Sequence, residues 1–380
     1  MKNIFSGEFK IGILGGGQLG KMLLQKAHDF NLHIAVLDPS ANAPCRNLCN
    51  RFVQGDFKDF NTVYNFGKDL DLITIEFEDV NVEALEALER EGKQVYPQPA
   101  VLRIIQNKGS QKSFYQQHKI PTSPFVLIKN RDDIAQADID FPVFQKLLTS
   151  GYDGYGVQFL ENKNTLQKAF DAPSVLEQSV DLEKELSVIV ARNAKGEVAH
   201  FPPVEMEFNP EANMVAYLFS PAGISPETEK KAVSIARTIV EKMKMVGLLA
   251  VEMFLSKKGE LLVNEVAPRP HNSGHQSIEG NSTSQYEQHL RAILNLPIGN
   301  TAIIQPSVMV NLLGEKGYRG KAIYEGVEEV LKIDGAHIHL YGKYETRPFR
   351  KMGHVSIVAP SLEEAKMKAK KVKSALKVIA

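Results

Sequence analysis

Two cysteines in 380 residues leave no disulfide framework to read. Cys45 and Cys49 lie four apart beside a proline and have no histidine companions, so reduced thiols are expected, not a disulfide or a zinc site. Net charge is missing as well. Lys plus Arg and Asp plus Glu number 45 each, so the field of the whole molecule offers nothing to nucleic acid or to an anionic membrane, and any charge-based recognition must be local. No apolar run approaches the ~18 residues of a membrane span. The start, Met1-Lys2-Asn3-Ile4-Phe5, leads into a strand-like segment without an apolar signal core, so a cytoplasmic protein is expected. Internal repeats and low-complexity segments are also lacking. What is present is ordinary: 43% hydrophobic and 24% charged residues can fill buried cores, and at ~100–200 residues per domain the length suggests two or three domains.

The first hundred residues alternate strand and helix, which means a parallel sheet covered by helices, an α/β arrangement. Lys10 to Leu14, His33 to Asp38 and Leu72 to Glu78 read as strands, and Lys21 to Asp29 as an amphipathic helix. Between the first strand and this helix lies Gly15-x-Gly17-x-x-Gly20, with Asp38 eighteen residues beyond the last glycine. This spacing invites a dinucleotide reading. The same geometry serves any phosphorylated ligand, or a tight strand-to-helix turn alone, and nothing downstream supplies a second half of a dinucleotide-binding sheet. Boundaries are expected near Tyr96 to Pro99 and Asn295 to Gly299. Glu363 to Lys377 reads as a lysine-rich amphipathic helix with a solvated face.

The densest chemistry follows two apolar runs, Leu248 to Leu255 and Leu261 to Val266, which read as an antiparallel hairpin around Lys257 to Glu260. With the turn centred on Lys258-Gly259, Glu252 and Glu265 fall opposite one another. Opposed acids repel at ~4.5–5.5 Å between Cβ atoms. Such a pair calls for a cation, and two carboxylates with room for phosphate and water suit magnesium better than zinc. A register slipped by one residue would instead turn one acid to solvent. Directly after come Arg269, His271, Asn272 and His275.

A second glycine loop, Ser150 to Gly156, lies between strand-like Phe141 to Lys146 and Val157 to Leu160. Its amides could fold over a polyphosphate with Lys146 as a point charge, or the loop could be a mobile surface hairpin. Further on, the extended backbone of Glu177 to Val180 could meet an adenine edge, and Glu185 a ribose diol. Many strands of like composition bind nothing.

Together these motifs, with Tyr341-Gly342-Lys343 and Arg347 to His354, resemble the ATP-grasp superfamily and, within it, the 5-(carboxyamino)imidazole ribonucleotide synthase family of purine biosynthesis. The likeness spans nearly the whole chain. It implies an ATP-grasp fold with an N-terminal Rossmann-like pre-ATP-grasp domain (1–103), an ATP-grasp domain (104–297, lid about 122–180) and a small β-rich C-terminal domain (298–380). It implies ATP and Mg2+, a carboxylation of 5-aminoimidazole ribonucleotide by bicarbonate through carboxyphosphate, and a homodimer. By this resemblance Lys108 and Lys146 meet ATP phosphates. Gly151, Tyr152, Asp153, Gly154, Tyr155, Gly156 and Val157 form the lid loop, while Glu177, Gln178, Ser179 and Val180 hold adenine and Glu185 the ribose. Glu252 and Glu265, assisted by Asn264, hold magnesium. Arg269 and His271 orient bicarbonate, and Lys343, Arg350 and Lys351 take the acceptor's phosphate. Gln18, Glu76, Tyr152, Asp153 and Asn272 join Arg269 and His271 around the ribonucleotide.

Four positions depart from the family pattern. Tyr155 replaces a basic residue, Lys108 an arginine, Gln276 an aromatic or histidine, and no histidine stands near Phe208-Asn209. Another ATP-grasp ligase, such as a formate-dependent glycinamide ribonucleotide transformylase, is the nearest alternative. A non-catalytic nucleotide sensor, suggested by the missing loop cation, and a dehydrogenase follow.

Overall fold

The computed structural model describes residues 2–149, 156–209, 211 and 214–380. Its first unit is a parallel five-stranded sheet in the order Arg51–Gln54, His33–Asp38, Lys10–Leu14, Leu72–Ile75, Gln94–Val95. The central strands are buried on both faces, as their unbroken apolar runs require. Helix Gln18–Asp29 covers one face; Phe60–Gly67 and Val82–Arg90 cover the other. The helix after the glycine turn begins at Gln18, three residues earlier than the sequence pattern indicates, and the strand before Glu76 stops at Ile75.

A four-stranded antiparallel sheet, ordered Phe125–Ile128, Ser174–Gln178, Val143–Leu147, Val157–Leu160, forms a separate small layer. Lys146 pairs with Val157 and Val175 there, and Phe144 with Glu177. Because side chains alternate along strands, Phe144, Lys146 and Glu177 share one face.

The largest sheet has nine strands. Its main path runs Leu261–Ala267, Gly247–Ser256, Leu182–Arg192, Val204–Asn209, Met214–Ser220, Ser307–Leu313, Lys351–Val358, Ala336–Leu340. Helix Pro226–Lys242 packs a stripe of Ala232, Ile235, Ala236, Ile239 and Val240 onto it. Since Met214–Ser220 pairs with Ser307–Leu313, main-chain hydrogen bonding continues from the central part of the chain into its last eighty residues. Helix Leu362–Ala375, capped by Ser361, closes that end with Ala365, Ala369 and Val372 buried and its lysines outward; Lys377 already belongs to a short strand, Lys377–Ile379. Helix Gln285–Ile293 adds Tyr286, Leu290 and Ile293 to the core of the first unit.

Candidate active site

Glu252 and Glu265 face each other across the hairpin of Gly247–Ser256 and Leu261–Ala267. The route to that register is indirect. Leu255 pairs with Leu261, Phe254 with Leu262 and Met253 with Val263, a ladder symmetric about Lys258 that would bring Asn264 opposite Glu252. A one-residue bulge at Asn264 advances the strand, so Glu265 takes the place. On the other side Ser187 lies opposite Glu252 and Glu185 opposite Phe254. Strand alternation therefore sets Glu185, Ser187, Glu252 and Glu265 on one face.

Lysines answer these acids. Lys108, first residue of helix Lys108–Gln117, donates to Glu265 Oε2 at 3.1 Å. Lys146 Nζ reaches Asn264 Oδ1 at 2.9 Å and Glu177 Oε2 at 3.1 Å. Lys112, one helical turn after Lys108, meets the same Glu177 oxygen at 3.0 Å and donates to Thr122 Oγ1 at 2.6 Å. Sequence reasoning missed Lys112, although its (i, i+4) spacing from Lys108 puts both amines on one helix face. The Glu177 carboxylate is buried between two lysines, and the Gln178 and Ser179 amides donate to Pro124 and Pro142 carbonyls. Of that segment, Val180 is the next amide along.

The acids divide the charge unequally. Lys108 pulls Glu265 well below the carboxylate range against the opposing effect of burial. Burial, then the charges of Glu265 and Glu185, push Glu252 up. Glu185 is raised to about 7, by burial and then by Glu265. One negative charge thus sits at Glu265, and the neighbouring acids favour their protons.

The loop beyond the hairpin is held from several directions. Arg269 Nε donates to Glu78, a residue of the first unit that the sequence did not single out. The His271 amide donates to Gln285 Oε1 at 2.8 Å, and Gln285 Nε2 returns to the His271 carbonyl at 2.7 Å. His271 Nδ1 accepts from the Ser273 amide at 3.4 Å and lies 3.0 Å from Ser273 Oγ, itself 2.8 Å from Ser187 Oγ. Nε2 then carries the ring proton and faces Glu252 at 3.6 Å. Burial, then Arg269 and Lys351, lower the ring to about 4, so it is neutral. Asn272 Nδ2 is buried and has no hydrogen-bond partner among the described residues.

The first glycine turn is filled from within. Glu76 Oε1 accepts from Leu19 N at 3.2 Å at the start of helix Gln18–Asp29, and Asp38 Oδ2 accepts from Gly16 N at 2.7 Å. A Cβ on Gly15 or Gly17 would come within 2.6 Å of Glu76 carboxylate oxygens. These glycines make room for a side chain of the protein, and the anion seat at this helix end is taken by Glu76. Burial, opposed by Arg269 and the Leu19 amide, raises Glu76 to about 7. Gln18 opens the same helix, half-buried.

In the C-terminal segment Lys343 Nζ donates to the Lys351 carbonyl at 2.7 Å, and Lys351 lies near enough to act on both Glu252 and His271. Arg350 is turned onto the Glu345 carbonyl at 2.6 Å. Of the expected lid loop, Gly151, Tyr152, Asp153, Gly154 and Tyr155 lie outside the described residues. Gly156 is in the left-handed region at φ 74°, and its carbonyl accepts from Leu147 N at 2.9 Å.

Comparison with known proteins accounts for all three parts of this arrangement. Residues 9–106 match the ribonucleotide synthetase preATP-grasp domain, 113–286 the ATP-grasp domain and 307–368 the phosphoribosylaminoimidazole carboxylase C-terminal domain. The chain is 36% identical over 362 residues to N5-carboxyaminoimidazole ribonucleotide synthase of Bacillus subtilis, covering 93% of this chain and 92% of that protein. To the chloroplastic phosphoribosylaminoimidazole carboxylase of Vigna aconitifolia it is 37% identical, spanning 93% of this chain but 65% of that longer protein. The crystal structure of N5-carboxyaminoimidazole ribonucleotide synthetase from Thermotoga maritima superposes with a TM-score of 0.91 at 43% identity, covering 98% and 99% of the two chains. The Aspergillus clavatus N5-carboxyaminoimidazole synthase, solved with ADP and 5-aminoimidazole ribonucleotide, gives a TM-score of 0.89 at 32% identity over 97% and 98%. This chain belongs to the N5-carboxyaminoimidazole ribonucleotide synthase family of ATP-grasp ligases.

Proposed function

We propose that this chain uses ATP to carboxylate 5-aminoimidazole ribonucleotide with bicarbonate, giving N5-carboxyaminoimidazole ribonucleotide, ADP and phosphate. The observation that carries the reading is the opposed pair Glu252 and Glu265, with Lys108 on Glu265, Lys146 on the adjoining Asn264, and His271, Arg269 and Lys351 near Glu252. A bicarbonate oxygen attacks the γ-phosphorus and ADP leaves; the exocyclic amine then takes the carboxyl carbon and phosphate leaves. Lys108 and Lys146 attract the phosphate oxygens as compact charges, and residues 151–157 serve as the lid loop. Val180, at the end of the Glu177 to Val180 segment, offers main chain to the adenine, and Glu185 accepts from the ribose.

Among the described residues no group of three His, Cys, Asp or Glu side chains could hold a metal ion alone. Two carboxylates open to phosphate oxygens and water are instead the donor set that magnesium takes. Glu252 and Glu265, with Asn264 beside them, would hold it, and when bound it neutralises charge on the transferring phosphoryl group.

Arg269 offers a fixed, permanently charged fork for bicarbonate, and neutral His271 donates through Nε2, so neither acts as a strong base. Lys343 and Lys351, with Arg350 at the rim, suit the phosphate monoester of the acceptor. Gln18, Glu76 and Asn272, the last with its buried donor, complete the surroundings of the imidazole ribonucleotide, together with Tyr152 and Asp153 of the lid loop. The family likeness supports a homodimer acting in the cytoplasm; light scattering on the purified chain tests the former. No helix among the described residues is long and apolar enough to cross a membrane.

The deciding assay is ADP release with bicarbonate and 5-aminoimidazole ribonucleotide supplied singly and together. Release that requires both is expected. Release indifferent to the ribonucleotide, or restored by formate with glycinamide ribonucleotide in its place, would overturn the assignment.

A further inference from the structure

Two Gly-His pairs take no part in the chemistry above. Gly274-His275 follows the Arg269 to Asn272 loop, and Gly353-His354 lies in the strand that begins at Lys351. The fold brings them together. The His354 ring is sandwiched, its centroid 4.5 Å from His275 with planes 23° apart and 4.4 Å from His339 with planes 11° apart. His339 and His354 are also directly paired across their strands. Each ring is anchored by its own partner: Tyr286 OH to His275 Nδ1 at 3.0 Å, Tyr341 OH to His354 Nδ1 at 3.1 Å, and Glu279 Oε1 to His339 Nε2 at 2.8 Å. His275 and His354 are 1% and 0% exposed.

Gly353 permits this close approach. A Cβ on Gly353 would stand 2.7 Å from the His339 carbonyl oxygen, while one on Gly274 would meet Ile189 Cδ1 at 2.4 Å, on the core beside the stack. Burial keeps the His275 and His354 rings neutral. Aliphatic side chains would fill this space without stranding a polar atom, yet His354 Nε2 is buried with no hydrogen-bond partner among the described residues. Flat, stiff rings at such a cost suggest a spacer more than core filling. The stack is joined along the chain to both halves of the acceptor site: His275 is four residues beyond His271, His354 three beyond Lys351, and Tyr341 two before Lys343.

We propose that His354 is a positioning residue for the acceptor: the stack of His339, His354 and His275 fixes the separation between Lys343 with Lys351 and the Arg269 to Asn272 loop. The ribonucleotide is then gripped at its phosphate and at its reacting amine together. This rests on the acceptor reading given above.

The test compares His354→Ala and His354→Phe with the unaltered full-length chain, measuring KM and calorimetric Kd for 5-aminoimidazole ribonucleotide and for ATP. His354→Ala is expected to raise both constants for the ribonucleotide about tenfold or more, with those for ATP and kcat held within about twofold. His354→Phe, which keeps a flat ring between its neighbours, restores ribonucleotide affinity to within about threefold. A role in stability alone would move thermal midpoint and both substrates together. If His354→Ala does not fold, His339→Ala, at the less buried end of the stack, takes its place with the same expected split. Unchanged ribonucleotide constants in a folded variant, or equal losses for both substrates, overturn the proposal while the assigned reaction stands. ADP release by the unaltered chain that ignores the ribonucleotide overturns the assigned acceptor and this proposal with it.

Discussion

Arg269 donates its Nε to the carboxylate of Glu78, 191 residues earlier in the chain, and so ties the loop after the acidic hairpin to the segment that follows strand Leu72–Ile75 in the first unit. Burial alone would raise the Glu78 carboxyl, but Arg269 holds it below its usual range. With that fork fixed, Glu78→Gln should lower kcat about tenfold or more while leaving the KM for ATP in place. Combined with Arg269→Ala it should cost nothing further, because both changes remove one interaction. Steady-state ADP release from the two single variants and the double variant checks this; additive losses would contradict it.

Glu265→Gln should reduce turnover about a hundredfold or more, since it removes the one acid of the pair that holds its charge. Repulsion at Glu252 falls at the same time, so the thermal midpoint should stay within about 3 °C. Near-normal ADP release would refute the role.

Glu177 sits buried between Lys112 and Lys146, at 3.0 and 3.1 Å, and Lys112 is lowered to about 8, chiefly by burial. Removing the shared acid strands two cations, whereas removing one lysine leaves a pair. Glu177→Gln should therefore cost about 3–5 kcal/mol of stability and Lys112→Met less. Urea denaturation gives the order, and a reversed order would show that the lysines are not held by this acid.

Lys343→Ala should weaken 5-aminoimidazole ribonucleotide about tenfold or more, with ATP affinity little changed. Calorimetric titration of each ligand separates the two, and equal losses would dissolve the proposed partition of sites.

His289 is fully buried, its Nε2 3.0 Å from Thr74 Oγ1, and burial lowers it to about 3. In the unfolded chain the ring titrates near ~6.5. Between these values the unfolded state takes a proton that the folded ring refuses, so stability is full above the upper value and falls as pH drops, by up to about 1.4 kcal/mol per pH unit. His289→Gln removes this share. Its thermal midpoint should decline less steeply than that of the unaltered chain on going from about pH 6.5 to 5, and parallel curves would argue against the assignment.

Much of this molecule was legible in its sequence because the signals are local. Alternating strands and helices announce the first sheet, and two apolar runs about Lys257 to Glu260 announce the hairpin and its facing acids. What was not legible acts through space. The sequence puts the hairpin's centre between Lys258 and Gly259, and the structure reaches the same acid pair by a ladder centred on Lys258 with a bulge at Asn264. Lys112, Glu78 and Gln285 became visible only when the fold set them against Glu177, Arg269 and His271. Likewise Gly15-x-Gly17-x-x-Gly20 carries a nucleotide-binding spacing, yet what decides its use is Glu76, the residue just beyond the neighbouring strand Leu72–Ile75.

The kink at Asn264 also gives the hairpin a single-residue handle. Since the pairs on either side of it would meet without a gap, a chain shortened by that residue alone retains the confrontation of Glu252 with Glu265 and loses only the amide that Lys146 grips. Acid pairing and the grip of Lys146 on the hairpin can thus be pulled apart by one deletion, with Lys146 still held by Glu177, something no substitution at either acid could achieve.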